Sequence, residues 1–373
     1  MIRLGIAGVG TIANDYIGLI QAGLVQDVRL TALASRSQAN LAQSVRKHHL
    51  ADVQTFTDYR AMLASGSIDA VLICTPHQVH PAMARQALDH HLHVLVEKPI
   101  GVDPADVRRL VTHLAAKPGL VGGVMYNRRQ AGAYQRIHRL LAEGAIGDLI
   151  RATWLITNLY RTPAYYLSSP WRGTWRGEGG GLLMTQASHQ LDLLQWLCGM
   201  PETVQAFCQT AGRSIEVENE AVLFLQYPGQ AQGQFIASAR ETPGTNRLEI
   251  CGTRGQIVIE NDSLVRVGIL ACDERDFARA ASEPFRQPAL TVTEHVHQDA
   301  DNRIQQAAAI QNFIDACAGR AVIACSLADA ANSLAIIQSA YLSSWTGRAI
   351  TVPAPEDQFQ QELAGRCLEE TNL

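Results

Sequence analysis

The stretch that most constrains this chain lies at its start. Ile2-Arg3-Leu4-Gly5-Ile6-Ala7 reads as a short buried strand and runs straight into Gly8-Val9-Gly10-Thr11-Ile12-Ala13. A helical pattern follows through Leu24. The spacing is G-x-G-x-x-A, with a strand before it and a helix after it. Gly8 permits the tight turn, Gly10 lets a pyrophosphate approach the backbone, and Ala13 lets the helix pack closely on the strand. The unpaired N–H groups of the first helical turn, from Thr11 and Ile12 onward, then face the phosphates at the positive end of the helix dipole. A glycine turn alone carries no ligand; the flanking strand and helix make this one a dinucleotide site.

A length of 373 residues suggests two domains. With 47% hydrophobic and 18% charged residues, the chain can bury a sizeable core. A formal net charge of −4 gives no sign of a nucleic-acid partner. No apolar run reaches the length of a bilayer span, and the first residues lack a signal-peptide pattern. The eight cysteines are scattered without a C-x-x-C, which predicts reduced thiols in a cytoplasmic protein and no zinc site.

Strand and helix alternate through the first third. Strands are expected at Val28–Ala34, Ile68–Cys74, His93–Val96 and Leu120–Met125, and helices at Leu41–His49, Asp58–Ala64, Pro81–His90 and Asp103–Leu114. This order predicts a parallel, doubly wound sheet over residues 1–124. The second strand ends in Ser35-Arg36-Ser37, where an acid usually binds the ribose 2′-OH of NAD. Arg36 suits the 2′-phosphate of NADP; the alternative is that it stacks on adenine or faces water, and NAD is used. Thr75 and Pro76 follow a strand end and belong near the cofactor. His77 and His80 have metal-like spacing without a third ligand, so capping or an edge role is expected and no metal.

Residues 125–373 read as a second domain. A helix at Ala133–Glu143 and a strand at Ile150–Leu159 precede an aromatic, arginine-rich segment: Arg161, Tyr165, Trp171, Arg172, Trp175 and Arg176. Gly179-Gly180-Gly181 then opens a helix over Leu182–Leu197 that carries His189 and Asp192. Six strands follow between Thr203 and Leu270, joined by short turns, which predicts an antiparallel or mixed sheet. Residues 271–301 have no clear pattern; helices are expected at Asn302–Ala318 and Leu327–Ser344, and the polar tail after Pro355 either frays or forms one short helix.

Lys98 and His189 are the candidates for chemistry. Hydride transfer from an alcohol carbon needs a base for the hydroxyl proton, and an imidazole titrates near neutrality. A lysine can hold the hydroxyl oxygen and stabilise developing negative charge. Asp192 either orients the imidazole or pairs elsewhere. Trp and Arg together suit a sugar, through ring stacking and guanidinium forks, and Arg161, Tyr165, Trp175 and Arg176 are the candidate contacts; the same composition also suits an interface rim.

These motifs together resemble the Gfo/Idh/MocA oxidoreductases. The marks are Gly8-x-Gly10-x-x-Ala13, Cys74-Thr75-Pro76 with His80, Glu97-Lys98-Pro99, Tyr126-Asn127-Arg128, Trp171-Arg172, the glycine run, and His189 with Asp192. The resemblance implies a Rossmann domain followed by an α/β domain with a large, mostly antiparallel sheet, through which such chains form homodimers or homotetramers. It implies Lys98 and His189 as catalytic residues. It places His80, Glu97, Asn127, Trp171 and Arg172 on the cofactor or substrate side. Many members carry Asp four residues before the His; here that position is Thr185, which cannot act as a base. The expected function is NAD(P)-dependent oxidation or reduction of a sugar or cyclitol. Two alternatives are an NAD-dependent glycoside hydrolase, for which the arginines would suit an anionic sugar, and a dinucleotide-binding sensor without turnover.

Overall fold

Six short apolar strands build the first sheet: β1 (Ile2–Ala7), β2 (Val28–Ala34), β3 (Gln54–Phe56), β4 (Ala70–Ile73), β5 (His93–Val96) and β6 (Gly122–Val124). In this computed structural model, which describes residues 1–298 and 301–369, they are all parallel, in the order β3-β2-β1-β4-β5-β6. The helices between them are α1 (Thr11–Gln21), α2 (Gln38–Lys47), α3 (Tyr59–Ala64), α4 (His80–Asp89) and α5 (Pro104–Ala115). Side chains fix several starts: Ser37 caps α2, Asp58 caps α3, and Asp103 caps α5 ahead of Pro104.

Contacts divide the chain into Met1–Gln130 with Asp301–Leu334, and Ala131–Ala300 with Ala335–Leu373. The sequence suggests a single cut near residue 124; the chain instead returns to its first unit late. The returning helix, Asn302–Cys317, buries Ile310, Phe313 and Ile314 in the same apolar cluster as Ile17, Leu19 and Ile20 of α1. The fully buried Arg129 donates to Ala324 O at 2.9 Å, and Val124 N donates to Cys325 O at 3.0 Å.

The second unit starts with α6 (Gly132–Ala142), β7 (Leu149–Ile156), α7 (Pro163–Leu167), α8 (Trp175–Glu178), α9 (Leu182–Thr185) and α10 (Ser188–Cys198). Then come β8 (Thr203–Gln209), β9 (Glu220–Gln226), β10 (Gln232–Ser238), β11 (Asn246–Gly252), β12 (Gly255–Glu260), β13 (Leu264–Leu270), α11 (Glu274–Ala280) and β14 (Leu290–Val296). After the returning helix, α12, the chain closes with α13 (Leu327–Thr346), β15 (Ile350–Thr351) and α14 (Glu356–Glu369). Nine strands form one sheet, β14-β13-β12-β11-β7-β10-β9-β8-β15, antiparallel except where β10 lies parallel to β7. Alternation sorts its two faces. Trp154, Phe235 and Leu248 sit opposite one another in register and are buried. Their neighbours Arg151, Thr153, Leu155 and Glu249 point to the other, more open face.

Three details depart from the sequence pattern. The helix expected over Leu182–Leu197 is broken at Gln186-Ala187 into α9 and α10. The patternless stretch holds α11 and the edge strand β14, whose residues are exposed on both faces. Of the two forms open to the polar tail, the structure has the helix, α14. The short strands β3 and β15 were not expected. Residues 299–300 of the patternless stretch and 370–373 of the tail lie outside the described residues.

Candidate functional site

In the first unit the sheet order reverses between β1 and β4, and a ligand crevice is expected beyond their carboxyl ends. Three strand ends are tied there: Gly8 N donates to Ala34 O at 2.9 Å, and Cys74 N donates to Ala7 O at 2.7 Å. Gly8 has φ +89°, and a Cβ on it would sit 2.7 Å from the Cys74 carbonyl. Gly10 is the opposite case, because a Cβ there would meet nothing within 4 Å. It borders a cavity of about 650 Å³ that is also lined by Gly8, Ser35, Arg36, Thr75 and Pro76. Gly10 caps α1 without a side-chain bond, which leaves the N–H groups of Thr11, Ile12 and Ala13 for a ligand. Ala13 is fully buried beneath them. The open backbone at Gly10, the helix start and the cavity size fit a nicotinamide dinucleotide.

The sequence did not single out Asn40, Thr57, Tyr59, Met83 or Gln86, which line the same cavity. Tyr59 donates to Met83 O at 3.0 Å and so ties α3 to α4 across it. Their only signal is position, at the start of α2, just after the short β3 and along α4. Arg36 is exposed, and among the described lining residues it is the one Lys, Arg, Asp or Glu. Ser37 is occupied as the cap of α2, accepting from Asn40 N at 3.2 Å.

Behind the cavity, His80 is 1% exposed, with Nδ1 2.9 Å from Pro99 O and Nε2 2.7 Å from Thr75 O. Burial holds its pKa below the ordinary value, while the surrounding carbonyls act in the other direction. His80 therefore clamps two strand-end loops and does not line the cavity, unlike the cofactor-side role the resemblance implies. Glu97 does the same: its carboxylate accepts from the Tyr16 hydroxyl and from Lys98 N at 3.1 Å. Desolvation raises the Glu97 pKa, against the Tyr16 hydrogen bond and the Lys98 charge. Lys98 itself is partly exposed just past β5. Asn127 is buried and donates to Asn302 Oδ1 at 2.9 Å, at the start of α12. Among the described residues no cluster of three His, Cys, Asp or Glu could hold a metal ion.

In the second unit the Arg172 guanidinium lies over two rings, 4.5 Å from the centroid of Tyr165 and 4.4 Å from that of Trp171. The Tyr165 hydroxyl accepts from Arg172 Nη1 at 2.6 Å and from Gln186 Nε2 at 2.9 Å. Arg161 stands 5.2 Å over the same ring, and Arg176 is exposed. Trp175 is a correction to the substrate-contact reading. It is 8% exposed and packs edge-on against Tyr341 and Trp345 at 5.3 Å, so it belongs to an aromatic core. Composition could not tell Trp171 from Trp175, since only packing separates them.

Along residues 181–195, Thr185 and His189 alone are partly exposed. They stand on either side of the break at Gln186-Ala187, Thr185 at the end of α9 and His189 in the first turn of α10. Thr185 Oγ1 donates to Gly181 O at 2.8 Å. Asp192 is fully buried and accepts from Gln195 Nε2 at 3.3 Å.

The two glycines of the motif should separate in mutagenesis. Gly8→Ala should lose about 1–3 kcal/mol of stability through backbone strain, read as a lower Tm. Gly10→Ala should keep the wild-type Tm and weaken dinucleotide binding at least about tenfold by calorimetry, since its methyl would enter the phosphate path.

Residues 2–125 match the model of the Gfo/Idh/MocA oxidoreductase family, NAD-binding Rossmann fold, and residues 134–258 match that of the Gfo/Idh/MocA C-terminal domain. Trans-1,2-dihydrobenzene-1,2-diol dehydrogenase of Homo sapiens is 26% identical over 265 residues, 70% of this chain and 75% of that protein. The WlbA dehydrogenase of Bordetella pertussis, solved with NADH and UDP-GlcNAcA, is 25% identical with a TM-score of 0.76, covering 95% of this chain and 99% of that one. Levoglucosan dehydrogenase, solved with NADH and levoglucosan, shares the fold at 20% identity and a TM-score of 0.78, covering 95% of this chain and 100% of that one. With both domains matched and the Gly10 cavity in place, the chain belongs to the Gfo/Idh/MocA family of NAD-binding oxidoreductases.

Proposed function

We propose that this chain is a dehydrogenase acting on a hydroxyl or keto group of a sugar, sugar derivative or cyclitol. The observation that carries this reading is the open cavity at Gly10 and the α1 start, in the sheet whose β5 leads into Lys98. A bound nicotinamide dinucleotide supplies the hydride acceptor or donor. The Lys98 ammonium holds the substrate oxygen and stabilises charge growing on it. His189 takes or returns the hydroxyl proton. Thr185, bonded back to Gly181 O, adds a hydroxyl and no base. Arg161, Tyr165, Trp171 and Arg172 offer ring faces and guanidinium edges suited to a polyhydroxylated ring. The relatives support the class: one is named for a cyclic trans-diol, and a fold neighbour holds levoglucosan. The eight cysteines are scattered along the sequence without a C-x-x-C, which supports a reducing compartment such as the cytoplasm.

Lys98→Met and His189→Ala should each lower kcat about 10²- to 10⁴-fold, with dinucleotide affinity nearly unchanged. The assay is stoichiometric NAD(P)H formation on a panel of sugars and cyclitols. Wild-type rates in either variant would remove that residue from the role. Release of aglycone from a glycoside without net NAD(P)H would overturn the dehydrogenase reading.

Arg36 and the absence of an acid among the described lining residues support a 2′-phosphate, hence NADP. Arg36→Ala should weaken NADP binding by about tenfold or more, the scale of one charge-assisted contact, and leave NAD binding nearly as it was. Equal loss for both would show that Arg36 does not read the phosphate.

The open face of the nine-stranded sheet supports pairing with a second copy of the chain. Phe207 is 60% exposed and Phe224 46% exposed on the adjacent strands β8 and β9. Phe224→Asp should turn a homodimer or homotetramer into smaller species by sedimentation, with the Tm of the isolated chain little changed.

A further inference from the structure

In the second unit a buried carboxylate meets the start of the segment that carries Thr185 and His189. Glu218 is 3% exposed. Its Oε2 accepts from Gly181 N at 2.9 Å, and its Oε1 accepts from Leu183 N at 2.8 Å and from the Tyr341 hydroxyl at 2.8 Å. Its main-chain carbonyl accepts from Leu182 N at 3.0 Å. The approach is too close for side chains. A Cβ on Gly181 would lie 2.0 Å from Glu218 O, and one on Gly180 would lie 2.4 Å from the Tyr341 oxygen. The last two glycines of the run are thus required by Glu218 and Tyr341.

From this anchor, hydrogen bonds lead to the histidine. Thr185 N donates to Gly181 O at 3.0 Å, and Ala187 N donates to Leu182 O at 2.8 Å. Gln190 N and Leu191 N both donate to Ala187 O at 3.0 Å, which closes the first turn of α10 around His189. We propose that Glu218 is a positioning residue whose ionised carboxylate fixes Gly181–Leu183, and that its protonation shifts His189. The proposal rests on the role given to His189 above.

Four donors point at this side chain and carbonyl, and only a charged carboxylate accepts from all the side-chain donors without a proton of its own to place. Burial pushes the Glu218 carboxyl up to about 7, against the lowering by Leu183 N, the Tyr341 hydroxyl and Gly181 N. The other titratable groups around it are Tyr341 from α13 and Cys208 from β8; α9 brings none. Burial and the Glu218 charge push both well above their ordinary values, so neither changes charge in this range. As pH falls through about 7, the anchor becomes neutral and the Gly181–Leu183 turn loses its charge-assisted bonds.

The test uses the full chain without substrate. Infrared difference spectra across neutrality should show a buried carboxylic-acid band with a midpoint near 7, missing in Glu218→Gln. In protein labelled at histidine ring carbons, the His189 resonance, assigned with His189→Asn, should show an inflection at the same midpoint. Tyr341→Phe removes one donor to the carboxylate and should move both midpoints upward together. That variant decides the matter even where Glu218→Gln fails to fold. No acid band through neutrality would overturn the proposal, and so would a His189 signal that stays put while the band moves. Neither readout needs turnover. Failure of the dehydrogenase reading would therefore appear separately, as an inactive protein whose His189 signal still follows Glu218.

Discussion

The close approach of Gly8 to the Cys74-Thr75 backbone organises the first unit. With Gly8 N on Ala34 O and Cys74 N on Ala7 O, the ends of β2, β1 and β4 are held as one edge. A side chain at Gly8 would force that edge apart. Because the edge is tight, the loops that leave it, at 8–10, 35–37 and 75–76, converge on one cavity. Gly10 then does different work from Gly8. Nothing in the protein crowds it, so its lack of a side chain answers to space that a ligand fills. One motif thus contains a glycine required by the fold and a glycine required by the chemistry.

How much of this is legible in the sequence depends on how local its cause is. The β1–α1–β2 start is legible because buried strands and amphipathic helices carry their own periodicity. The strands β3 and β15, three and two residues long and largely unburied, carry no apolar run of their own. Leu290–Val296 is an edge strand without a buried face, so alternation has nothing to report. The return of α12 to α1 joins residues nearly three hundred positions apart, and no local pattern encodes it. The site behaves the same way. Gly8, Gly10, Arg36, Thr75 and Pro76 follow strand ends and were found by position. His80 is put on the cofactor side by the resemblance, yet it faces inward, because two carbonyls lie within reach of its ring. The glycine run was visible, but its cause was not: Glu218 lies 37 residues from Gly181 and Tyr341 lies 160 residues from it.

The two units repeat one physical device around the residues assigned to chemistry. In the first, partly buried Glu97 accepts from the Tyr16 hydroxyl and from the main-chain N of Lys98 itself. In the second, buried Glu218 accepts from the Tyr341 hydroxyl and from the main-chain N of Gly181 and Leu183. In each, an acid wholly or partly withdrawn from water is held by a tyrosine and bonds the backbone N–H groups of the segment beside it. A buried carboxylate suits this task because its two oxygens accept several donors at once and each bond is strengthened by the charge.

The devices differ in what stands beside the acid. Glu97 has the Lys98 ammonium next to it, and that charge favours the ionised form. Glu218 is held by neutral donors, so desolvation is opposed by hydrogen bonds alone and its pKa rises to about 7. Folding therefore binds a proton at Glu218 that the unfolded chain releases near its ordinary carboxyl range. Stability linked to this group falls as pH rises from that range to about 7, and is level above it. The ionised form that anchors Gly181–Leu183 is thus the form that folding disfavours. A group kept at that balance, at the root of the segment bearing His189, couples the ordering of the segment to proton activity in the range where an imidazole also works.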